Sequence, residues 1–204
     1  MILDHTVGMF INPEKEWSAI RKQDRSMLAE FLTHVPFIVL LPTLAFYYGV
    51  TEVGWQIGKR EIIQLSDASA FGLCFLSYGA ALVGIWVFAQ FINWMAATYS
   101  DEPINTHHGM ALAVYTTLPI MLAGVAGAYP SIWFNASCML VAGAYSIFLI
   151  YRGMPILMNI PKDRAFMYSS SVVTVALCLL VSMRVGTVLM WSMVIGPEYV
   201  TPHH

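Results

Sequence analysis

Apolar residues in this chain come in long unbroken runs rather than alternating or following one helical stripe. Five runs, near 31–50, 68–97, 110–129, 131–151 and 170–195, approach or exceed the length needed to cross a hydrocarbon core, which takes about 20 residues as a helix. The pattern predicts an all-α polytopic membrane protein, with an amphipathic segment over 1–30 and a five-helix transmembrane domain over 31–204. The second run exceeds the required length, so its helix should tilt or project into the interface. The connection between the third and fourth runs, at 129–131, is very short, which predicts a tight antiparallel hairpin. Small residues recur four apart at Ala80 and Gly84, Ala123 and Gly127, and Gly124 and Ala128. Such pairs let backbones approach where lipid removes the hydrophobic drive for helix association.

The first thirty residues read differently. Asp4, Glu14, Glu16, Asp24 and Glu30 interrupt them, which argues against a cleavable signal peptide and leaves the first apolar run to act as insertion signal. Asn12 is a good N-cap and Pro13 suits a first helical position. Trp17, Ile20, Met27, Leu28 and Phe31 share one face, with Lys15, Arg21, Lys22 and Arg25 away from it. That is the pattern of a helix lying on an anionic leaflet, with Trp17, Arg21, Lys22 and Arg25 as lipid-interface residues. A cap folded onto the bundle fits the same pattern.

Lysine and arginine set the orientation. Segments 1–30, 98–109 and 152–169 carry seven of them, and the opposite segments carry Lys59 and Arg60. The asymmetry predicts an N-terminus inside and a C-terminus outside. Composition agrees with a lipid environment: 58% of the 204 residues are hydrophobic, 11% are charged, and mean hydropathy is +0.65, whereas soluble domains carry about 25% charged residues. A net charge of −2 gives no reason to expect nucleic acid as a partner. Cys74, Cys138 and Cys178 lie in apolar runs without C-x-x-C spacing and read as small hydrophobes.

Three groups of residues bear on chemistry. Arg184 falls midway along the fifth run, where an arginine costs about 2.5–3.5 kcal/mol on insertion scales, so it is expected to face protein or water. Pro42 and Pro119 interrupt the first and third runs and free the carbonyls of Ile38 and Tyr115. Arg184, Thr116 and Thr117 are candidate donors to these, which would make a polar site of Arg184, Tyr115, Thr116, Pro119 and Pro42. The second group, His34, His107, His108, Asp101 and Glu102, gathers at the inner face, where imidazoles and carboxylates are able to bind a divalent ion; caps and interfacial hydrogen bonds are the alternative. His203 and His204 resemble an expression tag and carry no weight.

The third group is the stretch YRGMPILMNIPKDRA, residues 151–165. Tyr151 and Arg152 mark an interface there. Gly153 and Pro155 are expected to stop or bend the fourth helix, the apolar ILMNI to dip into the interface, and Pro161 to open a turn presenting Lys162 and Arg164. Nucleophile-elbow, Walker and dinucleotide fingerprints are absent, which points away from an enzyme and from a bound cofactor.

Three stretches together resemble the Yip family, five-span membrane proteins named for interaction with Ypt/Rab GTPases. They are GMFINPEKEWSAIR, AVYTTLPIMLAGVAG with Tyr115 and Pro119, and YRGMPILMNIPKDRAF. The likeness runs over nearly the whole chain. The long polar N-terminal arm and Asp-Leu-Tyr-Gly-Pro element of eukaryotic members are missing, so the chain is more similar to short inner-membrane members of Gram-negative bacteria. The resemblance implies the fold and topology; the eukaryotic partner does not carry over. A non-enzymatic scaffold is then expected, binding a membrane protein, a second copy or anionic inner-leaflet lipid. A small transporter or channel centred on Arg184 and the kinked spans is the alternative.

Overall fold

The computed structural model describes residues 2–23, 26–56, 62–99 and 105–200, of which 2–6, 99, 162 and 163 are described by backbone alone. Arg25, Lys59, Arg60, Asp101, Glu102, His203 and His204, and the side chain of Lys162, lie outside the described residues. Two short helices, α1 (Ile2–Ile11) and α2 (Pro13–Arg21), precede five long ones: α3 (Met27–Tyr48), α4 (Asp67–Tyr99), α5 (Thr106–Ala123), α6 (Ile132–Met158) and α7 (Lys162–Val194). The five long helices are apolar enough and long enough to cross a membrane. The end of the bundle that carries α2 is called basal here, and the opposite end apical.

Local sequence sets the helix ends. The Asn12 side chain accepts from the Lys15 backbone N–H with Pro13 in the first turn, the Ser26 hydroxyl accepts from Ala29 N–H, and the Asn105 side chain accepts from His107 N–H. Each satisfies a backbone donor that has no partner inside its helix. Pro36 and Pro42 sit inside α3, Pro119 inside α5 and Pro155 inside α6. Helices interrupted this way persist when neighbouring helices pack around them.

The bundle is built around α5. Residues 109–116 are buried without a break, so this helix is apolar all round, as a central helix must be. Its small residues Gly109, Ala111 and Ala113 let α3, α4 and α6 approach from three sides. At the apical end a 3-10 turn, Gly124–Ala128, closes the α5–α6 hairpin against α3. There the helices approach closely: a Cβ on Gly49 would stand 2.0 Å from the Gly127 backbone carbonyl oxygen, and one on Gly124 2.7 Å from the Pro42 side chain at Cβ.

The chain is also latched apically. β1 (Gln64–Leu65) pairs antiparallel with β2 (Tyr199–Val200), with Gln64 opposite Val200 and Leu65 opposite Tyr199. The Trp191 indole donates to the Ser69 carbonyl at 3.0 Å, and the Ser69 hydroxyl donates to the Gly196 carbonyl at 3.0 Å. The α3–α4 connection and the tail beyond α7 are thereby held together, which ties α7 to α4.

Two expectations from the sequence are corrected. Of the stop or bend expected at Gly153 and Pro155, the stop does not occur: helix α6 runs to Met158 and ends at Asn159, whose φ of 50° is left-handed, a conformation asparagine tolerates better than most residues. The apolar ILMNI stretch does not dip into a lipid interface either. Leu157, Met158 and Ile160 are buried in the core, so its hydrophobicity reflects packing inside the protein.

Gly49→Ala is expected to lower stability in detergent by about 1–3 kcal/mol, the usual cost of overpacking. Gly143→Ala, inside α6 at a position with open space around it, is expected to leave the unfolding midpoint no lower than in the parent. Thermal unfolding of the two variants side by side checks this.

Candidate functional site

Helix α2 does not lie free at the surface. Trp17 and Ile20 are 0% and 1% exposed, packed against α6 and α5. The Trp17 indole meets the Tyr115 ring edge-on at 6.1 Å between centroids. It also lies over Gly153: a Cβ there would stand 2.7 Å from Trp17 Cε2 and 2.9 Å from Cζ2. Gly153 therefore provides the space the indole fills. Trp17, Tyr115 and Gly153 come one each from the three stretches that carry the family resemblance, and they meet in one place. Next to them Arg152 forms an ion pair with Glu14 of α2 and lies over the Phe148 ring. That pair is half exposed on both sides and adds little energy of its own. Position is what it contributes.

Helix α1 extends the cap along α6. The Tyr145 hydroxyl donates to the Met9 carbonyl at 2.9 Å, and the Phe10 and Tyr145 rings stack at 5.2 Å. On the other flank the His108 Nε2–H donates to the Arg21 carbonyl at 3.2 Å. The ring nitrogen must carry the proton, since a carbonyl only accepts.

Beneath this cap is a buried polar group of two predicted histidines, His34 and His107, and a carboxylate that sequence reasoning missed. Glu30 is 2% exposed and lies between two imidazoles: His34 Nδ1 at 3.5 Å from Oε1 and His107 Nε2 at 3.6 Å from Oε2. His34 Nδ1–H also donates to the Glu30 carbonyl at 2.9 Å, and its ring is 6.1 Å from that of Tyr115. His107 is 1% exposed, and neither ring nitrogen has a hydrogen-bond partner among the described residues; the same holds for the Trp17 indole nitrogen. The signal available in the sequence was the spacing of four between Glu30 and His34 on one helix face.

The histidines expected at the inner face are thus divided. His34 and His107 converge on Glu30, whereas His108 turns to the Arg21 backbone. Among the described residues no set of three histidine, cysteine, aspartate or glutamate side chains is arranged to hold a metal ion. Trp17, placed by its sequence pattern at the lipid interface, is a correction: protein covers it completely, because the niche over Gly153 admits a full indole. Arg21 and Lys22 remain exposed on the basal surface, as does Arg164 of α7. Tyr151 donates to or accepts from Ser170 of α7 at 2.7 Å, and Pro155 continues α6.

The mid-membrane site drawn from sequence does not assemble. Arg184 stands exposed on the outside of α7, and among the described residues it has no hydrogen-bond or ion-pair partner. The Thr116 hydroxyl donates to the Leu112 carbonyl at 2.6 Å and that of Thr117 to the Ala113 carbonyl at 2.9 Å. Both serve their own helix and leave the Tyr115 carbonyl aside. Pro42 packs on Gly124 at the apical end, and Tyr115 belongs to the basal junction. The prolines therefore mark close packing in separate places.

Residues 7–183 match the family described as the Yip1 domain. The inner membrane protein YohC of Escherichia coli strain K12 is 31% identical over 190 residues, which span 93% of this chain and 97% of that protein. YohC of Escherichia coli O6:H1 strain CFT073 aligns with the same identity and coverage. No solved structure matches.

Gly153→Val is expected to expel the Trp17 indole and speed tryptic cleavage at Lys15, Arg21 and Lys22 about tenfold or more, as opening of a docked helix governs cleavage. Trp17→Ala is expected to match it, and the double variant to add little. Glu30→Leu leaves two imidazoles without their carboxylate and is expected to cost about 1–3 kcal/mol. Combined with His107→Leu the loss should fall short of the sum, measured by SDS unfolding as a double-mutant cycle.

Proposed function

The chain belongs to the Yip1 domain family, and from that premise we propose that it is a non-enzymatic scaffold of the inner membrane, with its N-terminus and basal face in the cytoplasm. The observation that carries this reading is the docking of α2 through Trp17 onto Gly153 and Tyr115. It makes the N-terminal segment and the inner end of α6 one fixed surface. A fixed surface suits binding of a partner better than a moving gate does.

Charge on that surface indicates what it meets. Lys15, Arg21, Lys22 and Arg164 are exposed there, while the nearby Glu14 is engaged by Arg152. Basic groups beside a membrane are attracted to anionic headgroups by about 1 kcal/mol each, and the lysine and arginine asymmetry favours the same face as the cytoplasmic one. The transporter reading is the weaker one, since the arginine it relies on stands on the outer surface and the axis of the bundle is filled by the buried residues 109–116 of α5.

The test is lipid retention. Purified protein is expected to retain phosphatidylglycerol over phosphatidylcholine, and neutralising Lys15, Arg21, Lys22 and Arg164 to glutamine to reduce the preference about tenfold or more. Unchanged preference, or ion flux through proteoliposomes that disappears with Arg184→Ala, would overturn the reading.

A further inference from the structure

Arg184 sits on α7 where, among the described residues, none receives it. Its depth follows from its neighbours. The adjacent Met183 lies against Gly84, 3.5 Å from where a Cβ would stand, and Gly84 is halfway along α4. Trp191, which bonds to Ser69 in the first turn of α4, marks the apical end seven residues further on, about 10 Å at the rise of a helix. An extended arginine reaches about two thirds of that distance, and the Cα–Cβ bond of a helical residue tilts toward the helix N-terminus. In α7 that is the basal direction, away from the nearer boundary. The charge is thus held at mid-depth, where a guanidinium in lipid without a partner is costly.

The residues around it form a docking stripe. Leu177, Val181, Arg184 and Val188 are all exposed, and they follow one another by four, three and four positions. This is the spacing with which one helix seats along another, and a polar residue within such a seam fixes register and partner. A guanidinium needs an acceptor, and the strong one is a carboxylate. This chain cannot supply one from a second copy: its aspartates and glutamates all fall outside residues 31–51, 68–97, 110–160 and 164–194. A second α7 at equal depth would offer only another cation.

We propose that the stripe of α7 centred on Arg184 docks a transmembrane helix of a different membrane protein, one carrying an aspartate or glutamate at mid-membrane. The proposal rests on the scaffold reading in taking the protein to hold others, but it uses α7 and none of the basal residues, so the two fail separately.

The test measures energy transfer between donor-labelled full-length protein in phosphatidylcholine vesicles and a synthetic acceptor-labelled helix. The helix is polyleucine, with or without one central aspartate. The aspartate helix is expected to bind about tenfold or more tighter than the all-leucine helix. Arg184→Leu should erase the difference, Arg184→Lys keep most of it, and Val181→Trp on the stripe weaken the aspartate helix while Met193→Trp beyond it does not. Equal binding of the two helices, or a preference that survives Arg184→Leu, overturns the proposal. So does Arg184-dependent displacement of the aspartate helix by phosphatidylglycerol, which would assign Arg184 to a lipid phosphate.

Discussion

The indole of Trp17 lying in the space left by Gly153 is the contact on which the basal half of this protein depends. A tryptophan buries some 150–250 Å² of surface, whereas a half-exposed ion pair beside it adds little. With Trp17 seated, Tyr115 is covered from above, Ile20 closes over α5 and α6, and Glu30 with its two histidines is sealed from water. Remove the seat and a carboxylate and two imidazoles face solvent or lipid through an open cap. The order of importance is therefore packing first and charge second: Arg152 with Glu14 and His108 with the Arg21 carbonyl steer a helix that apolar burial holds.

The sealed polar group is the structural counterpart of that seat. Buried carboxylates are tolerated when their neighbours answer them, and here α3 contributes Glu30 and His34 while α5 contributes His107. The group thus joins the first span to the central one at the level where the cap docks. The apical end is fixed by other means, close packing at Gly49 and Gly124 and the strand pair that holds the tail. The bundle is closed at both ends by different physics, and α7 is left with a broad exposed face between them.

Length and hydropathy made the five spans legible, because a run of twenty apolar residues has few other readings. The cap at Asn12 and Pro13 was legible for the same local reason. What the sequence could not show was which apolar residues meet lipid and which meet protein. Trp17 and the ILMNI stretch look alike in either setting, and only the niche at Gly153 and the continuation of α6 to Asn159 decide for protein. Arg184 shows the reverse failure: its cost argued for an inward place, yet it stands exposed on α7. Tyr115 was assigned to the wrong neighbours because depth along a helix says nothing about which side chains fill the space beside it.

Amide hydrogen exchange of residues 13–21 in neutral detergent tests the central claim most directly. A helix seated by Trp17 predicts protection close to that of the basal end of α6, present without any anionic lipid. Exchange at the rate of a free helix, or protection that appears only when anionic vesicles are added, would contradict it and return α2 to the lipid surface.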